Sequence, residues 1–189
     1  MRHKYDTRGI VLARSPLGEA HASLAILTAE LGLVRARATG LRRSGGKLAH
    51  ALVTFAESDL TLVVGREGWR VTGAVLHKNW FASLSSPDAR RRASRVTGLL
   101  LRLAPGEVAE TELFTITSHF FRALEAEAEP TLESAELLAA TRVLAELGFD
   151  DERGEGALPA FAPAELLEVQ HHRDRYIARI NRGIAASGL

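Results

Sequence analysis

The stretch Gly32-Leu-Val-Arg-Ala-Arg-Ala-Thr-Gly-Leu-Arg-Arg-Ser-Gly-Gly-Lys47 decides how this chain is read. It starts as an alternating strand and ends as a basic loop. Arg35 and Arg37 are two apart, so a strand puts both on one face, with Val34, Ala36 and Ala38 on the other. Arg42, Arg43 and Lys47 follow among Ser44, Gly45 and Gly46. Five cations fall within thirteen residues with no acid among them. An apolar-backed, cation-faced arm of this kind suits a phosphate backbone. The competing reading is a solvated strand face whose charges block edge-to-edge aggregation.

On either side of the arm, residues 1–80 read as β. Gly9-Ile-Val-Leu12 and Leu24 to Thr28 are short apolar runs, and Ser15-Pro-Leu-Gly18 has turn chemistry between them. Glu30-Leu-Gly32 closes a hairpin into the arm. Leu52 to Phe55 and Leu60 to Val64 follow as further strand candidates. Gly65-Arg-Glu-Gly68 turns the chain into Trp69 to Leu76. Five or six short strands with glycine-bearing turns imply a small barrel, and a five-stranded barrel of the OB type is economical at this length.

Residues 81–189 read as helical, giving an α+β chain with the switch near Trp80-Phe81. Ser86-Pro87 is a helix start, because serine caps and proline fits the first turn. Ala89, Ala93, Val96, Leu100 and Leu103 then mark one apolar face. Leu113, Ile116, Phe120 and Leu124 mark a second helix, and Leu137, Leu138, Leu144 and Leu147 a third that ends at Gly148. A last helix is expected from about Ala164 to Ala185.

Charge divides the same way. Residues 1–80 hold twelve Lys and Arg against six Asp and Glu, a net +6, whereas residues 81–189 carry a net −5. A basic module and an acidic one point to different partners. There is no cysteine, so disulfides and cysteine-based zinc sites are excluded. No apolar run approaches the about 18 residues of a membrane span. Met1-Arg-His-Lys-Tyr-Asp-Thr-Arg8 has no apolar core after it, so no signal peptide and a cytoplasmic location are expected.

Other constellations are weaker. Arg8, Arg14, Arg66 and Arg70 extend the basic patch if their strands are neighbours. Arg91, Arg95 and Arg102 recur on a helix face opposite the apolar one, where they fit DNA, an acidic peptide, or plain solvation. Tyr5, Phe55, Trp69 and Trp80 are candidates for base stacking, although large aromatics are more often core. His171 and His172 are adjacent and diverge by about 100° on a helix, which is not ligand spacing. Gly65-Arg-Glu-Gly68 lacks the Lys-Ser/Thr of a phosphate loop, and there is no nucleophile elbow. No catalytic constellation emerges, so an enzyme is not expected.

Gly9-Ile-Val-Leu-Ala-Arg-Ser-Pro-Leu-Gly-Glu-Ala, followed by Leu24-Ala-Ile-Leu-Thr-Ala-Glu-Leu-Gly-Leu-Val-Arg-Ala-Arg-Ala-Thr-Gly-Leu-Arg-Arg43, resembles the start of the bacterial DNA repair protein RecO family. The pattern is a Gly-Glu after the first strand, a Gly-Leu-Val hairpin, and a small-residue strand entering a basic loop. Looser matches follow at Glu112-Leu-Phe114 and Leu144-Ala-Glu-Leu-Gly-Phe149. The resemblance implies an N-terminal OB-fold with a helical second domain. It implies binding of single- and double-stranded DNA, strand annealing, and recombinase loading with RecR. Contact with the tail of single-stranded-DNA-binding protein is implied too, and no membrane or small-molecule partner. Arg35, Arg37, Arg42, Arg43 and Lys47 match the basic hairpin. The chain reads as a short, cysteine-free member: the four-cysteine zinc motif of many relatives is missing, so no metal or other cofactor is expected. The Gln-Pro-Phe often seen after the basic loop is here Val53-Thr54-Phe55. The rival reading is an interaction adaptor whose helical domain docks an acidic peptide, with DNA binding incidental. A hydrolytic enzyme is the third.

Overall fold

The computed structural model describes residues 3–17, 21–40, 47–107, 111–128, 130–150 and 161–188. Among these, five strands come first: β1 (Lys4–Leu17), β2 (His21–Thr28), β3 (Gly32–Thr39), β4 (Ala56–Gly65) and β5 (Gly68–Asn79). They close into a barrel in the order β1-β2-β3-β5-β4, antiparallel except for the short parallel β3–β5 pairing. Closure removes the exposed sheet edge that a small open sheet would carry. This is the five-stranded OB-type barrel expected from the sequence, and helices follow it.

Local chemistry sets the turns. Thr28 Oγ1 accepts from the Leu31 N–H at 2.9 Å and donates to the Gly32 carbonyl at 2.9 Å, and Gly32 takes a φ of 69°. The β2–β3 hairpin therefore needs its glycine, because φ > 0 strains a residue with a Cβ. A bulge between Val11 and Ala13 bends β1, letting one long strand pair with both β2 and β4. Val11, Leu24, Ile26, Val34, Leu60, Leu62 and Val71 fill the barrel, each at most 3% exposed.

The Leu52 to Phe55 run is not a strand. Lys47–Ala51 forms a short helix, α1, and residues 52–55 turn into β4. Leu52 still enters the barrel core, and the buried Ser58 hydroxyl donates to the Ala51 carbonyl at 2.7 Å, fixing the helix end to β4. Phe55 sits at φ 65°, held by its N–H to the Val11 carbonyl at 2.7 Å and its own carbonyl to the Trp80 N–H at 3.1 Å. An apolar four-residue run cannot by itself separate strand from turn when burial is supplied from elsewhere in the chain.

A short helix α2 (Trp80–Ser83) ends the first compact unit, which comprises Met1–Ser83 and returns for Pro105–Phe114. In that unit the Leu33 N–H donates to the Gly106 carbonyl at 3.0 Å. The second unit comprises Leu84–Ala104 and Thr115–Leu189.

Four helices make up most of the second unit: α3 (Pro87–Leu103), α5 (Thr131–Glu146), α6 (Pro163–His171) and α7 (Arg173–Ala186). Helix α4 (Thr111–Ala126) starts in the first unit and continues into the second. Ser86 caps α3 as expected, its Oγ accepting from the Asp88 N–H at 3.2 Å, with Pro87 in the first turn. Helix α5 is central, with α3, α6 and α7 packed on it. The expected single last helix is broken at His172, whose φ of −111° and ψ of 29° interrupt the ladder. The break lets two axes pack on α5; Leu166 and Val169 are the buried residues of α6, and Tyr176 and Gly183 those of α7. Tertiary packing has overridden a continuous helical pattern there. No helix among the described residues is long and apolar enough to cross a membrane.

Candidate nucleic-acid interface

The site is built by alternation on two strands. On β3, Val34, Ala36 and Ala38 are buried at no more than 2% exposure, which leaves Arg35 and Arg37 on the outer surface. On β5, Trp69 and Val71 point into the core, which leaves Arg70 and Thr72 outside. The parallel closure sets Ala36 against Trp69, Arg37 against Arg70, and Ala38 against Val71. Arg37 and Arg70 therefore share one row of the barrel surface on strands about 4.8 Å apart. Arg35 follows along β3, one same-face step of about 6.8 Å away.

Arg66 lies in the tight β4–β5 turn, where Gly65 pairs with Gly68 and Gly68 takes a φ of 87°. Beside the turn is an open depression lined by Val63, Val64, Arg66, Arg70 and Thr72. The side chains of Arg35, Arg66 and Arg70 are exposed and make no ion pair among the described residues. Arg37 alone meets a carboxylate: its Nη1 lies 3.2 Å from Glu67 Oε2, with both side chains more than half exposed. Pairs this wet are weak. Four guanidinium groups and one carboxylate leave the patch a net +3.

Arg42 and Arg43 lie outside the described residues, as does the side chain of Lys47, whose backbone opens α1. Arg8 is engaged elsewhere. It donates to Asp59 at 3.0 Å and lies 4.0 Å from the buried Glu57, and the Asp59 hydrogen bond holds its guanidinium further into the charged range. Arg14 reaches the Leu52 carbonyl at 3.5 Å.

On α3, Arg91, Arg95 and Arg102 are all exposed. Arg91 is ion-paired with Asp88 one turn back. Arg95 donates to Glu136 at 2.7 Å, and Glu136 also accepts from Arg92 at 2.6 Å. The Glu136 carboxylate raises the Arg95 pKa from its ordinary value. Two of the three stripe cations are thus countered within their own unit, Arg91 by Asp88 three residues back and Arg95 by Glu136, 41 residues on, which sequence spacing does not reveal.

Trp80 is 3% exposed, and its indole N–H donates to the buried Glu57 at 2.9 Å, so it ties α2 to β4. Phe55 is also buried. The Glu67 countercharge was legible in the turn sequence, yet only the fold shows that it answers Arg37.

A small closed OB-type barrel with a cationic outer strand row is a class of protein suited to carrying nucleic acid. Comparison with known proteins narrows the class. Residues 1–79, which contain the barrel, match the family Recombination protein O N terminal. The chain is similar to the DNA repair protein RecO of Dehalococcoides mccartyi, 30% identical over 114 residues, covering 60% of this chain and 45% of that protein. The RecO of Gloeothece citriformis is 31% identical over 131 residues, covering 69% of this chain and 46% of the relative. The RecO of Synechococcus elongatus is 29% identical over 177 residues, covering 93% and 66% respectively. The chain thus spans about half the length of the first two relatives.

Proposed function

We propose that this chain is a non-enzymatic DNA-binding protein of DNA repair that holds phosphate backbones on the barrel face carrying Arg35, Arg37, Arg66 and Arg70. The observation that carries this reading is the in-register pair Arg37 and Arg70, which joins two sequence-distant cations into one row. Arg42, Arg43 and Lys47 extend the same arm in sequence. Such a row binds without reading sequence, because phosphates are shared by all bases. It serves both single strands and duplexes.

Annealing of complementary strands follows from the same chemistry. Cations that neutralise two strands lower their mutual repulsion, and base pairing supplies the driving force. No group need donate or accept a proton. Kinship with RecO supports the further roles of working with RecR to load the recombinase and contacting the tail of single-stranded-DNA-binding protein. The adaptor reading draws less support, since Arg91 and Arg95 already face carboxylates.

Two labelled complementary oligonucleotides test the reading. The chain is expected to speed their annealing at low salt, and R35Q/R37Q/R70Q to lose most of that acceleration. Equal annealing with and without the protein would overturn the annealing role.

A further inference from the structure

Tyr5 and Trp69 meet at the end of the barrel where β1 begins and β5 leaves its turn. Their rings are edge to face, with centroids 5.1 Å apart and planes at 66°. Trp69 is 9% exposed and belongs to the barrel core, whereas Tyr5 keeps 37% of its surface open. The Trp69 indole N–H is buried and has no acceptor among the described residues. The contrast with Trp80 is direct, since that indole is answered by Glu57. A buried donor left unanswered is a standing penalty that an incoming acceptor relieves.

The surroundings fit one kind of acceptor. Trp69 pairs in register with Val64 and is followed by Arg70, and Lys4, beside Tyr5, pairs with Val63. Val63, Val64, Arg66, Arg70 and the exposed acid Glu67 line the depression at this same end of the barrel. A half-open aromatic ring, an unanswered donor and guanidinium groups on the outer face of the same barrel end together match a nucleotide. Its base has a π-face for stacking, the ring carbonyl of thymine, cytosine or guanine accepts a hydrogen bond, and its phosphate takes a cation. Only an unpaired base has its face available, because duplex bases are stacked on one another.

We infer that Tyr5 and Trp69 form a base-stacking site that makes the barrel bind single-stranded DNA more tightly than duplex. The base stacks on Tyr5, and the Trp69 N–H is the donor for its carbonyl once the phenol ring turns to stack. The inference rests on the reading that DNA lies along the cationic strand row.

The test uses the full chain and fluorescence anisotropy with labelled oligothymidylate and with a duplex of equal length at one salt concentration. Y5A is expected to bind oligothymidylate about tenfold more weakly, with duplex binding unchanged. Y5F keeps the ring and is expected to behave as wild type. R35Q/R37Q/R70Q is expected to weaken both ligands. A Y5A variant that binds both as wild type does, or loses both equally, overturns the stacking site. A triple variant that keeps both affinities overturns the cationic row, so the two failures are separable. Should Y5A not fold, tryptophan emission decides: oligothymidylate is expected to quench it in the wild-type chain and W69F to abolish the quench. Quenching that is absent, or that survives W69F, overturns the proposal.

Discussion

Arg37 and Arg70 stand opposite each other across the parallel pairing that closes the barrel. Like charges directly opposite on neighbouring strands oppose folding by about 0.2–1 kcal/mol. Only Glu67, exposed and 3.2 Å from Arg37, offsets them among the described residues. A barrel selected for stability alone has no use for this arrangement, and a surface that holds phosphates does. Arg70→Gln should therefore leave thermal stability unchanged or slightly raised while weakening DNA binding. A calorimetric scan paired with an anisotropy titration measures both. A marked drop in melting temperature would make Arg70 a structural residue.

If the proposed row holds DNA, Glu67 competes with phosphate for Arg37. Two unit charges about 4 Å apart in water interact by about 1 kcal/mol, so removing this acid is worth a few-fold in affinity. Glu67→Gln should tighten binding of both single strands and duplex at low salt. The gain should fade as salt screens the exposed pair. Weaker binding would show that Glu67 orders Arg37 for DNA.

The buried Glu57 is a stability element of the first unit. It accepts from the Trp80 indole at 2.9 Å and lies 4.0 Å from Arg8. Glu57→Ala removes the carboxylate that accepts from the indole N–H and should cost about 1–3 kcal/mol in urea unfolding. Glu57→Gln keeps an acceptor and should cost less. Equal losses would mean that the charge, not the hydrogen bond, carries the effect.

Tyr176 gives the second unit a dependence on alkaline pH. Burial, with the hydrogen bond to Glu168 at 2.8 Å, pushes its phenol up from 10.0 to about 12. The folded chain keeps this proton after the unfolded chain has released it. Stability is therefore fully present below pH 10 and falls as pH rises toward about 12. Tyr176→Phe should flatten that fall in a pH series of urea unfolding curves. An unchanged series would place the alkaline loss elsewhere.

Much of this was legible from alternation alone. Val34, Ala36 and Ala38 against Arg35 and Arg37 specified both faces of β3, because period-2 geometry is local. Ser86-Pro87 specified the start of α3 for the same reason. Arg70 was legible as a cation but not as the neighbour of Arg37, because the β3–β5 closure joins residues more than thirty apart. The pairing of Arg95 with Glu136 was hidden in the same way. The break at His172 was invisible because neither proline nor glycine marks it; packing on α5 does. Leu52 misled because a residue can enter a barrel core from a turn as well as from a strand.

The salt dependence of duplex binding, compared between the wild-type chain and R35Q/R37Q/R70Q, tests the central claim most directly. Each phosphate contact contributes about 0.9 to the slope of log affinity against log salt. Loss of three contacts should flatten the slope by about 2–3, with weaker binding to every sequence tried. A variant whose slope equals that of the wild type would mean that the Arg35, Arg37 and Arg70 row does not hold the phosphates.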